Sequence, residues 1–514
     1  MKKLPLIALI VLFLITRLLK ISEVPPSLYW DEASIGYNAY SILKTGSDEW
    51  GERFPIHFRA FGEYKLPVYI YSLVPFVWLL GLNELAVRLP SVFFSLGSLI
   101  FIYLIAVKIS KRRLVGLLAG FYFTVSPWIF IFSRTGYEAT AGVMFYLLGI
   151  YLFLISLSRG FFIIPSLVSL GISFYSYNSF RILVPILLVV VLISYLLSHK
   201  ASLTKHVPIA LASLLVFAIM MLPAIRFIQS GSAAERLGAI AITGVNLRKW
   251  EIGRTIVKNY LSHFSKEFLF TKGDIITRSQ QPGFGQLIAF DAILLPLGIY
   301  FILKKEKKFG VFVLLLLAIS FLPASITREA PHALRSIAAV PFISLIFAYG
   351  VLFILEKIKL NRKILIAFIL LLYLGTFEIY LDNFFNKYAK TTAEDWQYGY
   401  KLIFEKYKGQ FNKYDNIVIT DRYNQPYIFA LFYLKYDPEK YRSEVVYNRQ
   451  PRVETSLVKK FDKFLFTDVY YYDLPKGPSL IFSNPTDRMM ELQPKNILYH
   501  PDGSIALYVY EYKK

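Results

Sequence analysis

The sequence predicts a polytopic α-helical membrane protein that ends in a soluble α/β or α+β domain. Three observations lead there. Of 514 residues, 55% are hydrophobic and only 18% charged, with a mean hydropathy of +0.48, a balance outside the range of ordinary soluble chains. Eleven apolar stretches approach the length that crosses a bilayer. They cease near residue 382, and the remaining residues carry 20 Lys/Arg and 17 Asp/Glu.

The eleven stretches fall at 4 to 20, 89 to 107, 114 to 132, 139 to 157, 161 to 179, 182 to 198, 207 to 225, 286 to 303, 310 to 326, 336 to 355 and 364 to 381. A further uncharged run, Leu66 to Leu82, contains Pro67 and Pro75 and ends near Glu84 and Arg88. Charge decides how to read it, because short cytoplasmic loops collect Lys and Arg. If 66 to 82 lies in the interface, 17 Lys/Arg from Met1 to Lys3, Lys108 to Arg113, Arg159, Lys200 to His206, Lys304 to Lys308 and Lys357 to Lys363 fall on one side. If it spans, 15 of the 17 move outside. We therefore expect an interfacial or re-entrant helix, a cytoplasmic N-terminus, a retained first span and an extracytoplasmic tail. Arg17 and Lys20 run mildly against the rule.

The formal charge of +22 sits between apolar runs rather than on a polar chain, so the expected partners include membrane lipids and no nucleic acid. Cysteine is absent, which removes disulfides, thiolate metal sites and cysteine nucleophiles. No phosphate-cradling glycine loop is present.

The expected domains are 1–381, transmembrane, with large outer loops at 21–88 and 226–285, and 382–514, soluble. Chemistry is expected on the outer face. Its first loop carries Tyr29-Trp30-Asp31-Glu32 at the start of a short helix, Ala33 to Leu43, ended by Gly46. Helix capping accounts for such a pair; so does a general base. Farther on, Arg59-Ala60-Phe61-Gly62-Glu63-Tyr64-Lys65-Leu66-Pro67 sets a lysine before the interfacial helix, suited to a phosphate or to snorkelling toward headgroups. Arg134 and Glu138 lie one turn apart in a short outer loop, where a local ion pair explains them almost as well. Thr327 to Arg335 gathers Arg328, His332 and Arg335, basic groups that suit either an anionic ligand or lipid headgroups.

Together with the stretch Gly81-Leu-Asn-Glu-Leu-Ala-Val-Arg88-Leu-Pro90-Ser91 and the basic turn after it, these residues resemble the GT-C-type, polyprenyl-phosphate-sugar-dependent glycosyltransferases, specifically the protein O-mannosyltransferase and aminoarabinose lipid A transferase group. The likeness covers chiefly residues 1 to 160. It implies a GT-C-type fold with Asp31 as catalytic base, Glu32 beside it and Lys65 meeting the donor phosphate. Arg59, Arg134, Glu138, His332 and Arg335 become substrate-binding candidates, with Glu138 standing where relatives often carry aspartate. The HALR wording around His332 also departs from the lipid A transferase pattern.

An enzyme working outside the cytoplasm lacks nucleotide sugars and must draw its donor from the bilayer. A hydroxyl or amine of a protein, lipid or glycan acceptor, deprotonated by Asp31, attacks the anomeric carbon of a polyprenyl-phosphate-linked sugar with inversion. Phosphate is a good leaving group, so no cofactor is expected and a divalent metal is optional; the Trp-Trp-Asp signature of the metal-using oligosaccharyltransferase branch is absent. The competing expectation is a transporter or flippase for an anionic lipid or glycan, which calls for charges at mid-span. Asp291 alone fits that description. In the tail, strands are expected at Asn416 to Thr420, Lys463 to Thr467 and Ile505 to Tyr512, and a helix at Trp396 to Tyr407.

Overall fold

The computed structural model describes residues 4–231, 241–242, 248–448, 456–470, 474–487, 489 and 492–513. Met1 to Lys3 and parts of the second outer loop, both used in the topology above, lie outside them. By contacts the chain divides into two compact units, Met1–Leu19 with Ser91–Leu381, and Lys20–Pro90 with Asp382–Lys514. The first outer segment thus packs with the C-terminal residues, where the sequence had grouped it with the membrane helices.

The first unit is helical. Among the described residues, seven helices are long and apolar enough to cross a membrane: Glu84–Ser110, Ala139–Ser156, Phe180–Ser198, Lys200–Gln229, Lys307–Ser325, Ile337–Lys357 and Arg362–Thr391. An eighth follows if Arg113–Val125 and Pro127–Arg134, bent by 65°, count as one. Each of the eleven expected stretches overlaps a helix. Leu4–Leu18, Gly160–Phe174 and Asp291–Lys305 are shorter, at about 1.5 Å of rise per residue, than a bilayer core of roughly 30 Å.

Side chains sort as lipid solvation demands. On the helix Leu203–Gln229 the exposed residues include Leu211, Leu215, Ile219 and Leu222, whereas Ala210, Ser213, Phe217 and Ala224 are buried. Three of the four buried side chains are small and let backbones approach, a pattern of helix association in membranes. A close approach joins Asp291–Lys305 to Val340–Lys357 at Gly298 and Gly350. A Cβ on Gly298 would lie 2.1 Å from the Ile346 carbonyl oxygen, and one on Gly350 would lie 2.2 Å from that of Leu294. Asp291 is not an unpaired mid-span charge: its carboxylate accepts from Tyr122 Oη (2.8 Å), Tyr373 Oη (2.6 Å) and the Ile288 amide (2.9 Å).

The second unit is built on a sheet. The hairpin strands β1 (Phe58–Ala60) and β2 (Glu63–Lys65) form a small antiparallel pair. In the C-terminal part the strands are β3 (Asn416–Ile419), β4 (Val446–Tyr447), β5 (Val458–Phe461), β6 (Phe464–Phe466), β7 (Ser479–Ser483), β8 (Asn496–Tyr499) and β9 (Ile505–Tyr512). Among the described residues they order as β4-β5-β6-β3-β7-β9-β8. Here β3 runs parallel to β6 and β7, and the outer pairs are antiparallel. Val418, Ile481 and Tyr510 pack into one core with Val469 and Met489. The expected strands coincide with β3, β6 and β9, and the expected helix appears as Tyr398–Tyr407.

The glycine contact yields a test. Gly298→Ala and Gly350→Ala each force backbone apart, an overpacking cost of about 1–3 kcal/mol, so both variants should melt earlier in detergent than the parent protein. Gly375→Ala, with nothing near its Cβ position, should melt unchanged.

Candidate active site

The helix Trp30–Thr45 presents Asp31 and Glu32 in its first turn and ends at Gly46, whose positive φ of 70° closes the last turn through a bond to the Ile42 carbonyl. Asp31 does not cap it. The residue before the helix, Tyr29, makes no side-chain cap, and the amide of Trp30 donates to Gln397 Oε1 at 2.8 Å. Gln397 in turn donates through Nε2 to the Asn424 carbonyl at 2.9 Å. A side chain from the C-terminal segment therefore satisfies a donor that the helix leaves open.

The two adjacent carboxylates meet different surroundings. Glu32 is fully buried against Arg88, also fully buried, with Nε to Oε1 at 3.2 Å and Nη2 to Oε2 at 3.4 Å. Arg88 also donates to the carbonyls of Ile21 (2.7 Å), Pro25 (3.0 Å) and Ser27 (2.6 Å). Asp31 keeps 26% of its side chain exposed and pairs with Lys65 Nζ. The lysine is placed by the hairpin: Phe61 and Gly62, both at positive φ (51° and 77°), make the two-residue turn that suits antiparallel strands. Lys65 stands opposite Phe58 in the register and at 3.8 Å from Glu63. The helix Pro67–Leu80 follows at once, started by a proline and 14 residues long, about 21 Å, short of a full span. Its Trp78 and Leu79 are exposed while Tyr69, Ile70 and Leu73 are buried.

Around this arrangement the structure places residues the sequence did not assign a role, Glu84, Lys401 and Glu49, together with the expected Arg59. Glu84 pairs with Lys401 (3.2 Å) and accepts from Tyr433 Oη (3.2 Å). Glu49 is buried, accepts from Tyr427 Oη (3.2 Å) and lies beside Asn38 Nδ2 (3.4 Å). Burial first, then the neighbouring Asp48, push its carboxyl up to about 8. Arg59 lies over the ring of Trp50 at 4.2 Å, and Trp50 stacks on Tyr447 at 4.9 Å.

The other candidates belong to the membrane unit. Arg134, expected to touch substrate, is fully buried and donates to the carbonyls of Thr16 (2.6 Å), Arg17 (2.8 Å) and Leu19 (2.7 Å). It closes the end of the helix Leu4–Leu18, whose last carbonyls have no partner within the helix. Glu138 is half-buried before the helix Ala139–Ser156. Arg335 binds Glu329 (2.9 Å) and Thr327 Oγ1 (2.8 Å) inside its own loop. His332 is buried with Nδ1 3.4 Å from Asp274; its amide donates to His263 Nε2 (3.2 Å), and the Ala333 amide donates to Asp274 (2.6 Å). Burial holds His263 down at about 4, so the ring is neutral. Its Nδ1–H then donates to the Asn259 carbonyl (2.9 Å), leaving Nε2 to accept. Among the described residues no three His, Asp or Glu side chains converge as metal ligands.

Residues 65–225 match the family model for dolichyl-phosphate-mannose-protein mannosyltransferase. Of solved structures, ArnT from Cupriavidus metallidurans bound to undecaprenyl phosphate aligns over 94% of this chain and 92% of its own, at 10% identity and a TM-score of 0.51. The archaeal oligosaccharyltransferase AglB from Archaeoglobus fulgidus, in complex with an inhibitory peptide and a dolichol-phosphate, aligns at 12% identity with a TM-score of 0.48. It covers 84% of this chain, and this chain spans only 63% of its length. No curated protein matches the sequence. The family match over residues 65–225 and the ArnT-like architecture give the chain a GT-C-type fold. It is an integral membrane protein carrying the mannosyltransferase-type signature across the segment from Lys65 to the helix Leu203–Gln229.

Glu49 generates a prediction. Its folded-state carboxyl titrates near 8 against an ordinary value of 4.5, so across that window the folded state binds more protons than the unfolded one and stability falls as pH rises. Glu49→Gln removes the penalty. Melting temperature in detergent should decline less between pH 4.5 and 8 in the variant than in the parent protein.

Proposed function

We propose that the protein is an inverting glycosyltransferase that moves a sugar from a polyprenyl-phosphate donor to an acceptor hydroxyl or amine at the extracytoplasmic membrane face, with Asp31 as general base. One observation carries this reading: of the adjacent carboxylates, Glu32 is committed to Arg88, while Asp31 remains partly exposed beside a lysine. ArnT with undecaprenyl phosphate, a fold neighbour, supports the donor class. The charge pattern of the loops supports the sidedness.

The acceptor heteroatom gives its proton to an Asp31 oxygen and attacks the anomeric carbon from the face opposite the phosphate. The bond from that carbon to the phosphate oxygen breaks, and polyprenyl phosphate leaves with the electron pair. Lys65 neutralises the charge that grows on the leaving oxygen, where stabilisation lowers the barrier most. Asp31 pairs with Lys65. A phosphate arriving at the ammonium displaces the carboxylate and frees it to take the acceptor proton, so donor precedes acceptor. Glu32 acts through Arg88 as a positioning residue.

Asp31→Asn should lower sugar transfer by about 10² to 10⁴, the range for loss of a general base, with melting temperature and donor binding retained. Lys65→Gln should weaken donor binding as well as turnover. Measured with a radiolabelled polyprenyl-phosphate sugar in proteoliposomes, undiminished transfer by Asp31→Asn would refute the assignment. Transport of the labelled lipid without transfer by the parent protein would refute the enzyme reading altogether.

A further inference from the structure

The far end of the helix Glu84–Ser110, roughly 40 Å along it from Glu84 at 1.5 Å per residue, opens on a small cavity of about 100 Å³. It lies within the membrane unit and uses nothing from the candidate active site. Its lining joins three helices: Ser110 at the end of the first with Arg112 just beyond it, Phe301, Lys305 and Glu306 at the end of Asp291–Lys305, and Tyr349 and Leu352 within Val340–Lys357.

Tyr349 is 2% exposed, and its hydroxyl has no hydrogen-bond partner among the described residues. A buried phenol normally finds one. The guanidinium of Arg112 is exposed and likewise makes no hydrogen bond or ion pair among the described residues. Lys305 is paired with Glu356 at 3.0 Å on one side, and Glu306 is the single carboxylate of the lining. A phenol O–H and a planar cation both need oxygen lone pairs; Glu306 supplies the one carboxylate of the lining, hydrogen-bonded to neither, and the Ser110 hydroxyl donates to the Ala106 carbonyl at 2.6 Å. The surrounding turns add Lys108, Lys111, Arg113, Lys304, Lys307 and Lys308, so the local field is strongly positive.

We propose that this cavity is a phosphate-ester site that receives the headgroup of an anionic membrane phospholipid, its phosphate accepting from Arg112 and Tyr349. The volume exceeds the space of about three waters, at about 30 Å³ each in the liquid, enough for a phosphate group and too small for a sugar-linked donor. Helix ends at the membrane surface bring the site to headgroup depth, where basic pockets between spans capture lipid phosphates. Arg provides the forked donor that phosphate geometry favours.

The test is native mass spectrometry of the full chain in detergent, titrated in separate arms with phosphatidylglycerol, phosphatidylcholine and inorganic phosphate. Phosphatidylglycerol should be retained in preference to phosphatidylcholine. Arg112→Gln should weaken it about tenfold, the loss of one charge-assisted hydrogen bond, and Tyr349→Phe, which changes no shape, should weaken it by a smaller factor. Equal retention of the two lipids overturns the proposal, as does retention of phosphatidylglycerol untouched by both variants. Displacement of the lipid by inorganic phosphate at matched concentration also overturns it, marking a site for the free ion.

Discussion

The candidate site depends on the contact between Arg88 and Glu32. Arg88 directs N–H groups to one carboxylate and to the carbonyls of Ile21, Pro25 and Ser27, so a single side chain fixes the irregular segment leading to the helix and the first turn of the helix itself. Both partners are fully buried. Removing either would leave an uncompensated charge in a dry environment, at a cost of about 3–5 kcal/mol. Such a pair adds little net stability over an apolar replacement, but it permits one geometry only, and Asp31 is the next residue along. Arg134 performs the matching task in the membrane unit, taking the last carbonyls of Leu4–Leu18. Irregular backbone near a bilayer must find donors within the protein, and arginine supplies several from one position.

That demand explains where reading the sequence succeeded and where it failed. The apolar helices were legible because lipid-facing residues are apolar whatever they pack against, and hydropathy registers them directly, though among the described residues fewer of them than the eleven expected are long enough to cross a bilayer. Arg17 looked misplaced by the charge rule; the structure buries it between the rings of Phe13 and Phe130, at 4.6 and 4.7 Å, with Nε donating to Ser133 at 3.1 Å. Outer arginines suggested an anionic substrate, yet Arg134 answers carbonyl oxygens that composition does not reveal. The strands β4, β5, β7 and β8 were missed. β7 is buried on both faces, so it lacks the alternation that marks a half-exposed strand; β4 is only two residues long and β5 carries two lysines in four residues.

The grouping of Lys20–Pro90 with the C-terminal segment was hidden for a different reason. It is carried by contacts across more than 300 residues, Trp30 with Gln397, Glu84 with Lys401 and Tyr427 with Glu49, and no local pattern encodes partners so remote. Asp31 and Lys65 drew attention as candidates because each neighbours strong punctuation: a helix start in one case, a Phe-Gly turn and a proline-led helix in the other. Their pairing was not, since it needs the hairpin register. Glu49 offered no signal at all. An acid in a loop is ordinarily solvated, and only burial beneath Tyr427 makes it unusual.

The contrast between the two acids of the Asp-Glu pair follows from solvent access rather than from residue type. Opening Glu32 from Arg88 strands two charges where water cannot reach them. Opening Asp31 from Lys65 leaves a carboxylate that water already touches, so the loss on that side is a small fraction of the buried case. Lys65 is the costly partner: at 3% exposure its ammonium requires an anion at all times. A ligand phosphate meets that requirement as well as a carboxylate does, and with more charge. An exchange of anions on one buried cation, beside a carboxylate that solvent can stabilise, is therefore the least expensive rearrangement open to this cluster. It is also the rearrangement that leaves the Arg88 framework untouched.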